Sequence, residues 1–301
     1  MRLNRFHLPH YWPLWGLLGL LRLVNLLPIR WQWRLGRILG RGIYSISKNS
    51  RHVAQVNLNH CFPEWSDSKR QQILKASFDN IGIAFIETGL SLWASPKKLR
   101  GLLTLQGYEY IQAAVDKGQG TLLVTGHFTP LALIGRLCAQ DYSFGIIYSR
   151  QKIAFLNYIV EKAYKRYYDR ALPKDAMRQV AKALKNGESI YYTADVNANS
   201  RSSVFAPFFG IEALTPTAPS RLAQMSNCHI IPLEYYRDDT TGTYDVRFYP
   251  RLAIDGSGDY YEDARQINQA IEKMVRKHPE QYLWQYKRFK KRPDGKDQFY
   301  K

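Results

Sequence analysis

Cysteine is scarce. Cys61, Cys138 and Cys228 are three in 301 residues, widely spaced and without a CxxC, which excludes a disulfide framework and a zinc-ribbon pattern and points to a reducing compartment. No GxSxG, GxxxxGK[ST] or GxGxxG occurs, so the serine-hydrolase elbow, the phosphate loop and the dinucleotide fingerprint are set aside. No two histidines have metal-ligand spacing; His7, His10, His52, His60, His229 and His278 read as surface or core residues. No acid precedes Glu64. Long apolar runs are missing too: Leu14 to Leu27, bracketed by Pro13 and Pro28 and interrupted by Arg22 and Asn25, reaches about 21 Å as a helix, short of the ~30 Å hydrocarbon core. It reads as an anchor that inserts partway or lies at an interface. No small-residue cleavage site follows it, which argues against a removed signal peptide.

What is present is basic. The formal net charge is +18, calling for anionic partners, among which nucleic acid, acidic protein and anionic membrane all qualify. No RNP, zinc-finger or helix-turn-helix signature accompanies the charge, so nucleic acid ranks last. Arg30, Arg34, Arg37 and Arg41 recur at helical spacing, Leu35, Ile38, Leu39 and Ile46 gather on another side, and Trp12, Trp15, Trp31 and Trp33 stand nearby. That pattern suits an anionic membrane surface; the alternative is the solvated face of an ordinary packed helix.

Further on, Ser66 leads into a long helical pattern from Ile73 to Trp93 with Phe78, Ile81, Phe85 and Ile86 on its apolar side. Beyond Pro96 the chain alternates. TLLVT precedes a helix from Pro130; FGIIY at 144–148 precedes a helix from Lys152 to Tyr168; SIYYT, HIIPLEY and DVRFY are further strand-like runs. With 45% hydrophobic content and no internal repeat, this predicts an α/β sheet flanked by helices.

The stretch the rest serves is TLLVTGHFTPLALIGRL, Thr121 to Leu137. A strand-like run stops at Gly126, and Thr129-Pro130 then reads as N-cap and first helical residue. His127 falls in the turn between strand end and helix start, where ligands bind in open α/β sheets. Other polar groups follow later strands or flank loops: Arg150, Arg170, Asp195 and Arg201, with Phe205 as a candidate wall for an acyl chain. A bidentate contact to phosphate and a structural ion pair are equally open for each arginine, and core packing for the phenylalanine.

His127 resembles the histidine of the His-x4-Asp/Glu motif of glycerolipid and lipid A acyltransferases. The acid's position is Ala132. Were 132 the third residue of the helix, an acid there would reach His127's turn and also complete a capping box with Thr129; alanine forfeits both.

The asparagine-then-CFPE wording of NLNHCFPEW, GTLLVTGHF, KALKNGESIYYTAD, RSSVFAPFFG and PEQYLWQYKRFKKRP together resemble the Kdo-dependent lipid A late acyltransferases of HtrB/MsbB type, in the lysophospholipid acyltransferase-like superfamily, from about Tyr11 to Pro293. The resemblance implies a mixed sheet flanked by helices, with residues 1–46 a membrane anchor and basic amphipathic helix and 47–301 the catalytic domain. It implies transfer of a fatty acyl chain from acyl carrier protein to a hydroxyl of a 3-hydroxyacyl chain on a lipid A precursor, at the cytoplasmic face of the bacterial inner membrane. His127 would be the base, with no metal and no cofactor beyond the carrier's phosphopantetheine. Arg150 and Arg170 would be candidates for lipid phosphates, and anionic lipid and the acidic carrier protein would be partners. Ala132 then predicts a folded, substrate-binding, nearly inactive chain that Ala132→Glu would restore by several powers of ten. The alternatives are a membrane-bound glycolipid-binding protein without turnover, or an acyltransferase for another envelope glycolipid.

Overall fold

The computed structural model describes Phe6 and residues 8–196, 202–254, 256–295 and 299–301. Four helices lead: α1 (Trp12–Val24), α2 (Ile29–Ile46), α3 (Lys48–Cys61) and α4 (Asp67–Trp93). A short α5 (Pro96–Leu99) opens the α/β part, which runs β1 (Leu103–Gln106), α6 (Glu109–Val115), β2 (Thr121–Thr125), α7 (Leu131–Cys138), β3 (Gly145–Tyr148), α8 (Ala154–Tyr167), β4 (Arg170–Pro173), α9 (Met177–Lys185) and β5 (Ser189–Thr193). The hairpin β6 (Ser203–Phe208) and β7 (Ile211–Pro216) follows, then α10 (Ala218–Ser226), β8 (His229–Asp238), β9 (Thr243–Phe248) and α11 (Tyr260–Lys277). Among the described residues the main sheet has seven strands in the order β1-β9-β8-β2-β5-β3-β4, parallel except for the β8–β9 pair. This is the mixed sheet flanked by helices that was expected.

β2 is central and every one of its residues is buried. That is why it reads as an unbroken apolar run rather than an alternation. Two predicted strands, β2 and β5, appear with the expected ends and β3, β8 and β9 with an end moved by one to three residues; β1, β4 and the β6–β7 hairpin were not anticipated as strands.

The N-terminal helices pack in an unusual sense. α2 turns Gln32, Trp33, Gly36 and Gly40 inward and leaves Leu35, Ile38, Leu39 and Ile46 exposed. Its glycines meet Gly82 and Ile83 of α4 so closely that a Cβ at Gly36 would lie 2.6 Å from the Ile83 Cα. Apart from Trp33, the inward face is thus made of small or polar residues while several large apolar ones face outward, unlike a helix on a soluble core. No helix of the described residues is long and apolar enough to cross a membrane.

Candidate functional site

Parallel register builds the site. Thr125 at the end of β2 pairs with Thr193 at the end of β5, and Ala194 N–H continues the ladder by donating to Thr125 O at 2.9 Å. Two residues beyond each strand end stand His127 and Asp195, opposite one another. His127 Nδ1 lies 2.5 Å from Asp195 Oδ1, and the His127 backbone N–H donates to Oδ2 at 2.8 Å. An ionised carboxylate only accepts, so the ring hydrogen sits on Nδ1 and Nε2 is left with its lone pair.

Asp195 is 3% exposed in its side chain, His127 25%. Burial pushes the imidazole down, but the charge of Asp195 and the hydrogen bond to it outweigh burial and hold it above the ordinary histidine value. Burial likewise pushes Asp195 up; His127's charge, the hydrogen bonds from its ring and backbone and one from Tyr282 overcome it and hold the carboxyl below the usual range.

Tyr282 donates to Asp195 Oδ2 at 2.8 Å. Gly126 makes the crowding possible, since a Cβ there would lie 2.9 Å from Ile271, 3.2 Å from Asp195 Oδ2 and 3.2 Å from the Tyr282 ring. The glycine that ends the strand in the sequence is also the residue that admits the acid.

Ala132 is exposed in the first turn of α7. The anticipated cap is different: the helix begins at Leu131 with Pro130 at the cap position, Ala132 is its second residue rather than its third, and the Thr129 hydroxyl caps nothing. Among the described residues that hydroxyl is buried without a partner, while Thr129 N–H donates to Gln281 O at 2.8 Å.

The remaining candidates divide. Asp195, grouped above with the substrate-binding residues, is the partner of His127. Arg150 is exposed two residues past β3, at the same end of the sheet as His127, with its charge near the Tyr148 phenol. Arg170 does not join them. The segment read as a loop forms β4, whose first residue pairs with Gly145 at the far end of the sheet, and its guanidinium is engaged by Glu188 through two hydrogen bonds of 2.7 and 2.9 Å. Phe205 is half-buried in β6 opposite Leu214. Arg201 lies outside the described residues.

Two motifs that carried the family resemblance meet in the structure and serve the site. Asn57 donates to Trp284 O at 2.7 Å and Tyr286 O at 2.9 Å, and Phe62 lies edge-on to Trp284. The NLNHCFPEW segment therefore fixes the QYLWQY segment that carries Tyr282. Nothing in the spacing of either marked a contact between residues 227 apart in the chain; the equal offset of His127 and Asp195 from two five-residue strands was a usable signal.

A family profile described as bacterial lipid A biosynthesis acyltransferase matches residues 2–291. The chain is 31% identical to the lipid A biosynthesis lauroyltransferase of Escherichia coli K12 over 95% of this chain and 94% of that one. It is 28% identical to the palmitoleoyltransferase of the same organism over 99% and 97%. A lipid A biosynthesis acyltransferase of Haemophilus influenzae is 27% identical over 96% and 91%. The crystal structure of a 1-acyl-sn-glycerophosphate acyltransferase from Thermotoga maritima covers 83% of this chain and 97% of its own at a TM-score of 0.40 and 12% identity, a likeness too loose to carry an argument.

Proposed function

The chain belongs to the bacterial lipid A biosynthesis acyltransferases, and on that premise we propose that it moves a fatty acyl chain from acyl carrier protein to a hydroxyl of a 3-hydroxyacyl chain on a lipid A precursor. The observation that carries the mechanism is the 2.5 Å contact between His127 Nδ1 and Asp195. With Nδ1 held, Nε2 takes the proton of the acceptor hydroxyl as its oxygen attacks the thioester carbonyl; the tetrahedral oxyanion then expels the carrier's thiolate, which recovers that proton from the imidazolium. Histidine is thus a base and then an acid. The chain needs no covalent intermediate of its own.

Ala132 supports a second reading, a chain that binds and scarcely turns over. That reading requires His127 to lack a carboxylate, and Asp195 is one. We therefore place this chain among working enzymes, with Asp195 in the role the family motif gives to position 132. Mass spectrometry of lipid A from cells deficient in late acylation, with and without the chain, tests it. One added acyl chain, absent with His127→Ala, is the expected result. A folded, expressed chain that leaves lipid A unchanged until Ala132→Glu is introduced would establish the near-inactive reading instead.

The substrate also implies a membrane, and the cytoplasmic face of the inner membrane is the proposed location. In its support, α1, α2 and the turn between them expose Trp12, Leu20, Leu23, Leu26, Ile38 and Ile46 beside Arg30, Arg34 and Arg41, the mixture an interfacial helix pair presents to anionic lipid. Replacing Leu20, Leu23 and Leu26 by serine should release the protein from anionic vesicles in high salt; unchanged flotation would refute the anchor. The acidic carrier protein would approach the exposed basic end of the sheet at Arg150 and Lys152.

A further inference from the structure

The His127 turn has no regular secondary structure of its own, yet its ring must be held to a fraction of an ångström. What holds it is a three-residue stretch from the far end of the chain. Thr129 N–H donates to Gln281 O at 2.8 Å, Leu283 N–H donates to His127 O at 3.0 Å, and Phe128 and Tyr282 form an isolated antiparallel bridge. The Phe128 ring packs edge-on against Tyr282 and Tyr235. This stretch is itself anchored on both sides. Gln281 exchanges side-chain hydrogen bonds with the Arg237 backbone at 2.8 and 2.9 Å, and Asn57 holds the carbonyls of Trp284 and Tyr286.

We propose that Gln281–Leu283 is the positioning element of the catalytic pair, and that the Tyr282 hydroxyl is its acting group, fixing the Asp195 carboxylate so that one oxygen is reserved for the His127 ring. The inference rests on the acyl-transfer reading. Oδ2 receives two donors, the Tyr282 hydroxyl and the His127 N–H, both at 2.8 Å. Oδ1 faces Nδ1. Two donors on one oxygen fix the carboxylate plane, and a third ligand on the other is then confined to that plane, along one of its two lone-pair directions. Tyr282 does not touch the reacting atoms; it acts through Asp195.

The other titratable groups around Asp195, among the described residues, are Tyr191 and Tyr192 from β5, Tyr235 from β8 and the buried Arg288. Burial raises all three tyrosines, Tyr192 to about 12, so they stay neutral wherever His127 titrates. Burial lowers Arg288, but a guanidinium keeps its proton there. The proton that changes near neutrality is therefore that of His127, and Tyr282 modulates it by sharing the Asp195 charge: a carboxylate with one donor fewer is a stronger partner for the imidazolium.

The test is Tyr282→Phe in the full-length protein, which keeps the ring packing and removes the hydroxyl. Its acid limb of kcat/KM should move up by about half a pH unit, the worth of one hydrogen bond. The His127 imidazole 15N resonances, which need no substrate, should report the same upward movement. Phe208→Leu, which loosens packing beside the Tyr282 ring and spares the hydroxyl, should lower the melting temperature without moving the limb. An unmoved limb and unmoved 15N titration in Tyr282→Phe would overturn the proposal. If the unaltered protein transfers no acyl chain, the functional reading fails, while the 15N titration still decides the role of Tyr282.

Discussion

Two buried charge clusters lie close together in this protein, and they are built differently. Around Arg237 all partners but the half-exposed Asp239 are buried: its guanidinium reaches Glu87 at 2.9 Å, Asp239 at 2.9 Å and Asn80, while Glu87 also takes the Tyr244 hydroxyl at 2.7 Å, which in turn accepts from Trp33. The Arg237 and Glu87 side chains are each 1% exposed. Around His127 the partners are as close, but one ring edge is left toward solvent. The closed cluster joins α2, α4, β8 and β9, and through Gln281 it braces the open one. Catalysis needs a group that is held and still accessible, and here holding is delegated to neighbours that are almost all buried.

The largest effect should come from breaking the open cluster. Asp195→Asn keeps the shape but presents an amide that can donate, so His127 is pushed to the wrong tautomer and loses the partner of its cation. A fall in kcat on the order of 10⁴ is expected, with little change in melting temperature or lipid binding, read by acyl transfer with the proposed donor and acceptor. A loss of less than tenfold would mean the pair is an ordinary buried contact.

Breaking the closed cluster should do the opposite. Glu87→Leu leaves Arg237 buried without its main counter-charge, for which roughly 3–5 kcal/mol of stability is the usual cost. Denaturant unfolding should show it, while the folded variant keeps kcat within about threefold. If kcat instead falls with stability intact, the two clusters are more tightly coupled than Gln281 alone implies.

Acidity sharpens the contrast further. His127 is raised in the folded state, so its share of stability is complete below about pH 6.5 and is lost as pH climbs through the folded value; Asp195 is lowered, so its share is present above about pH 4 and is lost as pH falls through its folded value. The pair therefore stabilises most between those limits, where it is least active, because a base must be neutral. The acid limb of kcat/KM should lie above about 6.5, and a limb below that value would contradict an ionised Asp195 beside the ring.

Much of this was legible in the chain. TLLVT and SIYYT predicted strands of an α/β sheet, GH after the first marked the site, and their equal offset made AD its natural neighbour once the two strands are adjacent. What hid Asp195 was strand order, which depends on how helices pack across the sheet and not on any local run. Arg170 misled for the same reason: RALP is too short and too mixed to announce an edge strand, and only the strand shows that Arg170 points away from the chemistry. Tyr282 was beyond reach, since its role depends on a turn-to-turn contact across more than 150 residues. The outward apolar face of α2 was visible as periodicity, but not which face the protein would keep; the glycines at 36 and 40 decide that by allowing α4 to close in.

Ala132→Glu should have the smallest effect, and it is the change the family motif says should have the largest. Position 132 is exposed on the first turn of α7, and the Nδ1 it would address already faces a buried carboxylate. A new glutamate must displace Asp195 from a site where Tyr282 and a backbone N–H hold it, or else sit in water near the positive end of a helix, where a carboxylate gains about 0.3–1 kcal/mol. In the second case activity should change by less than tenfold, and the melting temperature should rise slightly. The informative experiment is the double variant. If Ala132→Glu rescues Asp195→Asn by a hundredfold or more while adding little on its own, the two carboxylates are alternative occupants of one role, and this chain has exchanged one for the other. If it rescues nothing, Asp195 alone can serve the His127 turn.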